Sequence, residues 1–353
     1  MSKLLPAREQ ASIFQERTTR SREEDMSTWT KPVVVGYEAS PESQFALQWA
    51  VQVAQRRGVP LVVVHASGAE PSTAELARPG VLKMYHARAQ QIADEGAQRA
   101  RDLGAVEVTA VGLPGGAAAA LVEQSANASL LVLGHRTRGV LTQAIMGSVA
   151  LAVVTHAACP VAVVRSAPAP LPSIEHPIVV GIDSSEHSMR ALDEAAFLAA
   201  DTRSLLRIVT AWERPVQDAW SAYQNVREAQ RKKSQDQPRR EEDDTWSAYQ
   251  RVREEIGGER EVVTYETLVA EISQQAASTV AEAAARVQAR YPDLKIETVI
   301  REGSAAQSIV NAAAGASLIV VGARGRSAMQ ALLLGSVSRK VMNQAECAVY
   351  VIR

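Results

Sequence analysis

Two cysteines, six histidines and an aromatic fraction of 4% leave this 353-residue chain poor in the side chains of metal and nucleophile chemistry. The histidines are scattered, and no His-x3-His or Cys-x2-Cys unit is present to hold a zinc ion. No Gly-x-Ser-x-Gly elbow marks a serine hydrolase, and no Gly-Lys-Ser/Thr closes a Walker A loop. No apolar run approaches the roughly 20 residues of a membrane-spanning helix. The N-terminus lacks the apolar core of a secretory signal, so the expected location is cytoplasmic and no membrane partner is expected. The net charge is −1, with acids and bases interspersed, so nothing global draws the protein to nucleic acid.

What the chain does have is itself, twice. Residues 32–165 and 177–353 share one pattern of strands, helices and glycines. Glu38 corresponds to Asp183 and Ala66 to Ala211, 145 positions apart; Gly115 corresponds to Gly303, Gly134 to Gly322 and Cys159 to Cys347, 188 apart. The register changes once, by 43 residues, between Ala211 and Gly303. A repeat this long is a duplicated domain and not a solenoid, whose units are shorter. It agrees with the prior of about 100–200 residues per domain. The paired cysteines read as small buried hydrophobes near the last strand, not as a disulfide.

Each copy opens on an apolar strand ending in an acid, Val33–Glu38 and Ile178–Asp183. A helix follows, begun in the first copy by Ser40-Pro41-Glu42: an N-cap, proline at N1 and an acid in the first turn. Leu47, Ala50, Val51 and Ala54, matched by Leu192, Ala195, Ala196 and Ala199, recur at helical spacing. Further strands are expected at 60–65, 106–111, 130–133 and 161–164, and at 205–210, 294–300, 318–321 and 349–352. Long helices are expected at about 80–103 and 266–290. The strands are continuous apolar runs, as in parallel sheets covered on both faces. The expected fold is α/β: two tandem open, mostly parallel five-stranded sheets with helices on both faces. The last strands would be bare sheet edges, and their pairing would make the two halves an internal pseudo-dimer of roughly two-fold symmetry. A homodimer is a second assembly open to the chain.

Three segments fall outside the repeat. Residues 1–31 read as a polar mobile tail, in which Met26 is an alternative to Met1 as the start. Residues 166–176 form a short proline-rich linker. An insertion at about 213–258 carries a small repeat of its own, Trp220-Ser221-Ala222-Tyr223-Gln224 returning as Trp246-Ser247-Ala248-Tyr249-Gln250. It reads either as a solvated helical excursion or as an arm or lid with aromatic anchors for a protein partner.

The chemistry concentrates after the fourth strand of the second copy. An open parallel sheet binds ligands at the carboxyl ends of its strands, beside a switch in strand order. Asp183 and the Gly322–Gly325 loop would both lie there. Glycines let the backbone turn sharply and approach a ligand, and exposed amides in such a loop form an anion nest. Gly335-Ser336 would open the next helix and offer its amides and hydroxyl to phosphate. Arg324 and Arg326 add positive charge. No general base accompanies the loop, which favours binding over turnover.

The spacing Gly322-x2-Gly325-x9-Gly335-Ser336 resembles the ATP-binding signature of the universal stress protein family, some of whose members are tandem. That resemblance implies an adenine-nucleotide-hydrolase-like fold and ATP as ligand, with Mg2+ or Mn2+ as its companion. It implies that Asp183, Ala211 and the neighbouring Ile182 border adenine and ribose, and that Gly322 and Gly325 line ribose and phosphates. Gly335, Ser336 and Val337 would hold the phosphate tail. In the first copy Glu38, Ala66, Gly134, Gly147 and Ser148 keep part of the pattern, but Thr137 replaces the second loop glycine. ATP is therefore expected mainly in the second half. His135, in the degenerate loop, is expected to serve a turn or face solvent. Three functions stay open: a nucleotide-responsive stress regulator, a slow ATPase or nucleotide-using transferase, and an adaptor with vestigial pockets.

Overall fold

The computed structural model describes residues 30–68, 80–135, 146–165, 170–215, 265–325 and 334–353. Residues 1–29 of the expected tail at 1–31, Trp220, Tyr223, Trp246 and Tyr249 of the insertion, Thr137 and Arg326 lie outside the described residues.

The first half runs β1 (Val33–Gly36), α1 (Pro41–Arg57), β2 (Leu61–Ala66), α2 (Val81–Asp102), β3 (Val108–Leu113), α3 (Ala117–Ser125), β4 (Leu130–Gly134), α4 (Ser148–His156) and β5 (Val161–Val164). The second repeats it: β6 (Ile178–Gly181), α5 (Glu186–Thr202), β7 (Leu206–Trp212), α6 (Tyr265–Arg290), β8 (Ile296–Glu302), α7 (Ala305–Ala312), β9 (Leu318–Gly322), α8 (Ser336–Gln344) and β10 (Ala348–Ile352). The caps work as the sequence predicts. Ser40 Oγ accepts the Ser43 amide and Pro41 sits in the first turn of α1, while Ser185 caps α5 through Ser188 N. Each cap satisfies an amide the helix leaves open, worth about 1 kcal/mol.

Within each half the strands are parallel, ordered β3-β2-β1-β4-β5 and β10-β9-β6-β7-β8. One side of the sheet packs on α1, α2, α5 and α6, and the other on α3, α4, α7 and α8. Both faces of the inner strands are therefore apolar, and β1, β4, β5, β9 and β10 are buried almost throughout. The outer strands β3 and β8 alternate more and begin two residues later than their apolar runs suggest. At a sheet edge the ladder, and not hydrophobicity, sets the start: Val108 pairs Leu61 and Ile296 pairs Leu206. Cys159 and Cys347 are both buried and free, and burial pushes each thiol up to about 12.

The halves join edge to edge. β10 pairs antiparallel with β5, making one ten-stranded sheet. Ala162 faces its own equivalent Tyr350, and Val161–Val351 and Val163–Val349 flank it reciprocally. That reciprocity is the mark of an isologous two-fold contact, here inside one chain. Above the axis Arg57 Nη2 donates to Tyr350 Oη at 3.3 Å, and Tyr350 Oη donates to Glu194 Oε1 at 3.1 Å. This chain of bonds, centred on the fully buried Tyr350, ties α1 to α5, and burial raises the Tyr350 hydroxyl far above its usual range. Between α1 and α5 lies a groove of 1260 Å³ lined by Trp49, Phe197 and Tyr350; none of Asp183, Ala211, Gly322 or Gly335 reaches it.

Candidate functional site

In the second half the chain runs outward through β6, β7 and β8, then returns to place β9 on the other flank of β6. The switch in strand order lies between β6 and β9, where such sheets open a crevice. Asp183 leaves β6 on one side of it and Gly322–Gly325 leaves β9 on the other. Ala211, near the end of β7, is the next neighbour on the β6 side.

Ser184 turns the Asp183 side of the crevice. Its φ is 63°, and Ala39 at the equivalent place has 62°. Residues with a Cβ pay on the order of 1–2 kcal/mol for that region, and such turns gather at functional sites. The turn lets Ser185 close on the acid: its amide and hydroxyl donate to Asp183 Oδ1 at 3.0 and 2.5 Å. Asp183 N donates to Ser188 Oγ at 3.2 Å. In the first half the longer Glu38 is exposed and is met by Ser40 Oγ at 3.2 Å. Ile182 contributes no side chain to the crevice, being core; its amide donates to Val209 O and its carbonyl accepts Thr210 Oγ1.

The loop glycines are needed for a reason other than the sharp turn expected from sequence. Neither Gly322 nor Gly325 has a positive φ. A Cβ on Gly322 would stand 2.7 Å from the carbonyl carbon of His187, at the start of α5. Gly134 has the same relation to Glu42, also at 2.7 Å. These glycines let the end of a strand touch the first turn of a helix. A Cβ on Gly325 would instead stand 2.5 Å from Asp183 Oδ2, so this glycine lets the two lips of the crevice meet.

The far wall is the N-terminus of α8. Gly335 is its N-cap and supplies no side-chain bond, and Gly147 does the same for α4. The first amides of both helices are thus left without the capping oxygen that α1 and α5 possess, an arrangement suited to an anion. Ser336 and Val337 stand exposed at that end. Gly335 N donates to Ala323 O at 2.8 Å and Ser338 Oγ to Gly322 O at 2.6 Å, pinning α8 to the loop. Ser338 went unnoticed in the sequence, although the 188-residue offset pairs it with Ala150, which has no hydroxyl to do the same.

The His187 imidazole lies below its ordinary pKa, first through burial and then through the charges of Arg324 and Arg190, opposed by Glu186, which pairs with Arg190 at 2.6 Å. Burial, and then Arg324, also depress Arg353. Among the described residues no group of three His, Cys, Asp or Glu side chains gathers to hold a metal.

The first half keeps Glu38, Ala66, Gly134, Gly147 and Ser148 at matching places, with differences beyond the sequence motif. His135 does not face solvent: it is fully buried, and burial and Arg165 lower its pKa to about 4. Arg165 Nη2 donates to His135 Nε2 at 3.2 Å, which leaves the ring proton on Nδ1, an atom without a partner among the described residues.

The model of the universal stress protein family matches residues 30–165 and 175–353. A universal stress protein of Mycobacterium tuberculosis is 31% identical over 334 residues, covering 91% of this chain and 96% of its own. A second from the same organism is 28% identical over 335 residues, with the same coverage. The crystal structure of a universal stress protein from Archaeoglobus fulgidus overlays 92% of this chain and 98% of its own at a TM-score of 0.59, with 17% identity, a likeness of fold.

Proposed function

The chain belongs to the universal stress protein family, and we propose that it is a cytoplasmic adenine-nucleotide-binding regulator whose main ATP site is in the second half. The observation that carries this reading is the convergence, at the β6/β9 switch point, of three features. They are an oriented acid, Asp183; an α8 N-terminus without a side-chain cap; and Arg324 of the β9 loop, whose charge is felt at His187. An acid suits ribose hydroxyls, which donate, and open amides with positive charge suit phosphate oxygens, which accept. Asp183 and Ala211 are assigned to the nucleoside end, Gly322 and Gly325 to the middle, and Arg324, Arg326, Gly335, Ser336 and Val337 to the phosphates. A divalent cation would ride on the phosphates, with the exposed Ser336 hydroxyl as an oxygen donor at that end. The first-half site, with Glu38 exposed and Ala150 in place of Ser338, is assigned weaker binding. Residues 32–165 and 177–353 are taken as the two domains, and the insertion at about 213–258 as an arm for a protein partner.

The test is to identify what the intact protein carries. Small molecules released from gently purified full-length chain are identified and counted by mass spectrometry. An adenine nucleotide near one per chain is expected; an empty protein that also fails to take up added ATP would leave the adaptor reading. Steady multiple-turnover release of phosphate would move the assignment from regulator to ATPase.

A further inference from the structure

The bonds that cross from one half to the other include a set that ends in the first half's glycine loop. Asn343, near the C-terminus of α8, accepts the amide of Met146 on its Oδ1 at 3.1 Å. Met146 is the residue before Gly147-Ser148, where α4 begins. The Asn343 carbonyl accepts Arg165 Nη2, and the same nitrogen reaches His135 Nε2 at 3.2 Å. His135 directly follows Gly134. One residue of the second half therefore bonds directly to Met146, beside Gly147, and through Arg165 to His135, beside Gly134.

We infer that Asn343 is a positioning residue of the first half's nucleotide site, supplied by the second half. The inference rests on the nucleotide reading above and adds a dependence of one site on the other domain. The chemistry is economical. The last carbonyls of a helix have no internal partner, and a guanidinium at that end is favoured by the helix dipole. Arg165 satisfies that carbonyl while bracing His135, and the amide side chain fixes the start of α4, whose open N–H groups are the first half's phosphate donors. Symmetry returns only part of the grip. Arg353, the equivalent of Arg165, donates to Ala157 O at the end of α4 at 2.7 Å. Thr155, the equivalent of Asn343, turns its hydroxyl back to Leu151 O at 2.7 Å, and among the described residues it makes no bond to the other loop. The side-chain clasp thus runs from the second half to the first. α8 also begins at Gly335-Ser336, so a single nine-residue helix has the second site's phosphate end at its start and the first site's loop at its finish.

The experiment uses the full chain with Gly325→Val, which weakens the second site, and ATP titrations fitted to two sites so that the first is read separately. In that background Asn343→Ala is expected to weaken ATP binding about five-fold, the size of one lost hydrogen bond. Hydrogen exchange at the Met146 amide should accelerate in step. In the chain with Gly325 intact, Asn343→Ala should leave the second site's affinity unchanged. Asn343→Asp, which keeps an oxygen acceptor, should restore both the affinity and the protection of Met146. Asn343→Thr installs the residue the first half carries here and should reproduce the loss if alanine disturbs folding. Accelerated exchange at Met146 with unchanged first-site affinity overturns the inference, because the contact would then hold the loop without serving the site. Complete loss of ATP binding in Gly325→Val alone also overturns it, by showing no first site, while leaving the nucleotide reading intact. No ATP binding in any variant, the parent included, overturns both.

Discussion

Gly325→Val isolates the crevice from the fold. The added Cβ would stand 2.5 Å from Asp183 Oδ2, about an ångström inside ordinary contact. Asp183 cannot simply swing aside, because Ser185 grips its other oxygen through an amide at 3.0 Å and a hydroxyl at 2.5 Å. Relief comes by breaking one of those charge-assisted bonds, each worth roughly 1.5–3 kcal/mol, or by moving the loop away from the acid. Either change spoils the meeting of the two lips, so ATP binding in the second half should weaken by about 1–3 kcal/mol, or roughly 5- to 150-fold. The fold should barely notice, since the collision is between a loop and a carboxylate at the crevice. Gly322→Ala is the contrast: its Cβ meets the His187 backbone at 2.7 Å, which has no rotamer to yield, so it should lower stability first. Isothermal titration of ATP into the two full-length variants, with thermal melts alongside, separates the cases. Undiminished second-site affinity in Gly325→Val would refute the placement of the nucleotide between Asp183 and the β9 loop.

Other outcomes follow from the same geometry. His135 binds its proton only near pH 4 when folded and near 6.5 when unfolded, so its effect is absent above 6.5. As pH falls from 6.5 towards 4, the unfolded state gains the proton and stability drops, by a ceiling on the order of 3 kcal/mol. His135→Gln should flatten that part of a urea-denaturation pH profile; an unchanged slope would place the titration elsewhere. A chain of residues 170–353 alone exposes β10 and should dimerise through it, and a monomer by sedimentation at high concentration would show that the β5 pairing is dispensable. Tyr265 Oη donates to Pro215 O at 3.0 Å, so the ends flanking the insertion are close. Replacing 216–264 by a short Gly-Ser bridge should leave cooperative unfolding and ATP affinity unchanged, since loop length itself costs little. Aggregation of that variant would make the insertion part of the core.

Much of the fold was legible because burial wrote it plainly. Runs such as Val33-Val34-Val35 and Leu318-Ile319-Val320-Val321 are covered on both faces, and Ser40-Pro41-Glu42 is a helix start by local chemistry alone. The edge strands were less exact, because β3 and β8 are bounded by a ladder partner that no local pattern reveals. The switch-point acid and the glycine loop were legible as a motif, yet the reason for the glycines was not. Their φ values are ordinary, and what excludes a Cβ is His187 in one case and Asp183 in the other, both distant in sequence. His135 was expected in a turn or in solvent and Asn343 was missed for the same reason: their contacts with Arg165 form only in the assembled fold. Comparing residues 188 apart would have singled them out, because Ala323 and Thr155 stand at the matching positions. The same comparison exposes Ser338 against Ala150.

The central claim is that adenine nucleotide binds at the β6/β9 switch point of the second half, and a crystal structure of the intact chain grown with ATP tests it most directly. The account predicts nucleotide density between Asp183 and Gly322–Gly325, with the phosphates at the Gly335-Ser336 end of α8, at higher occupancy than at Glu38 and Gly147 in the first half. Density confined to the first half, or an empty β6/β9 crevice at saturating ATP, would contradict it.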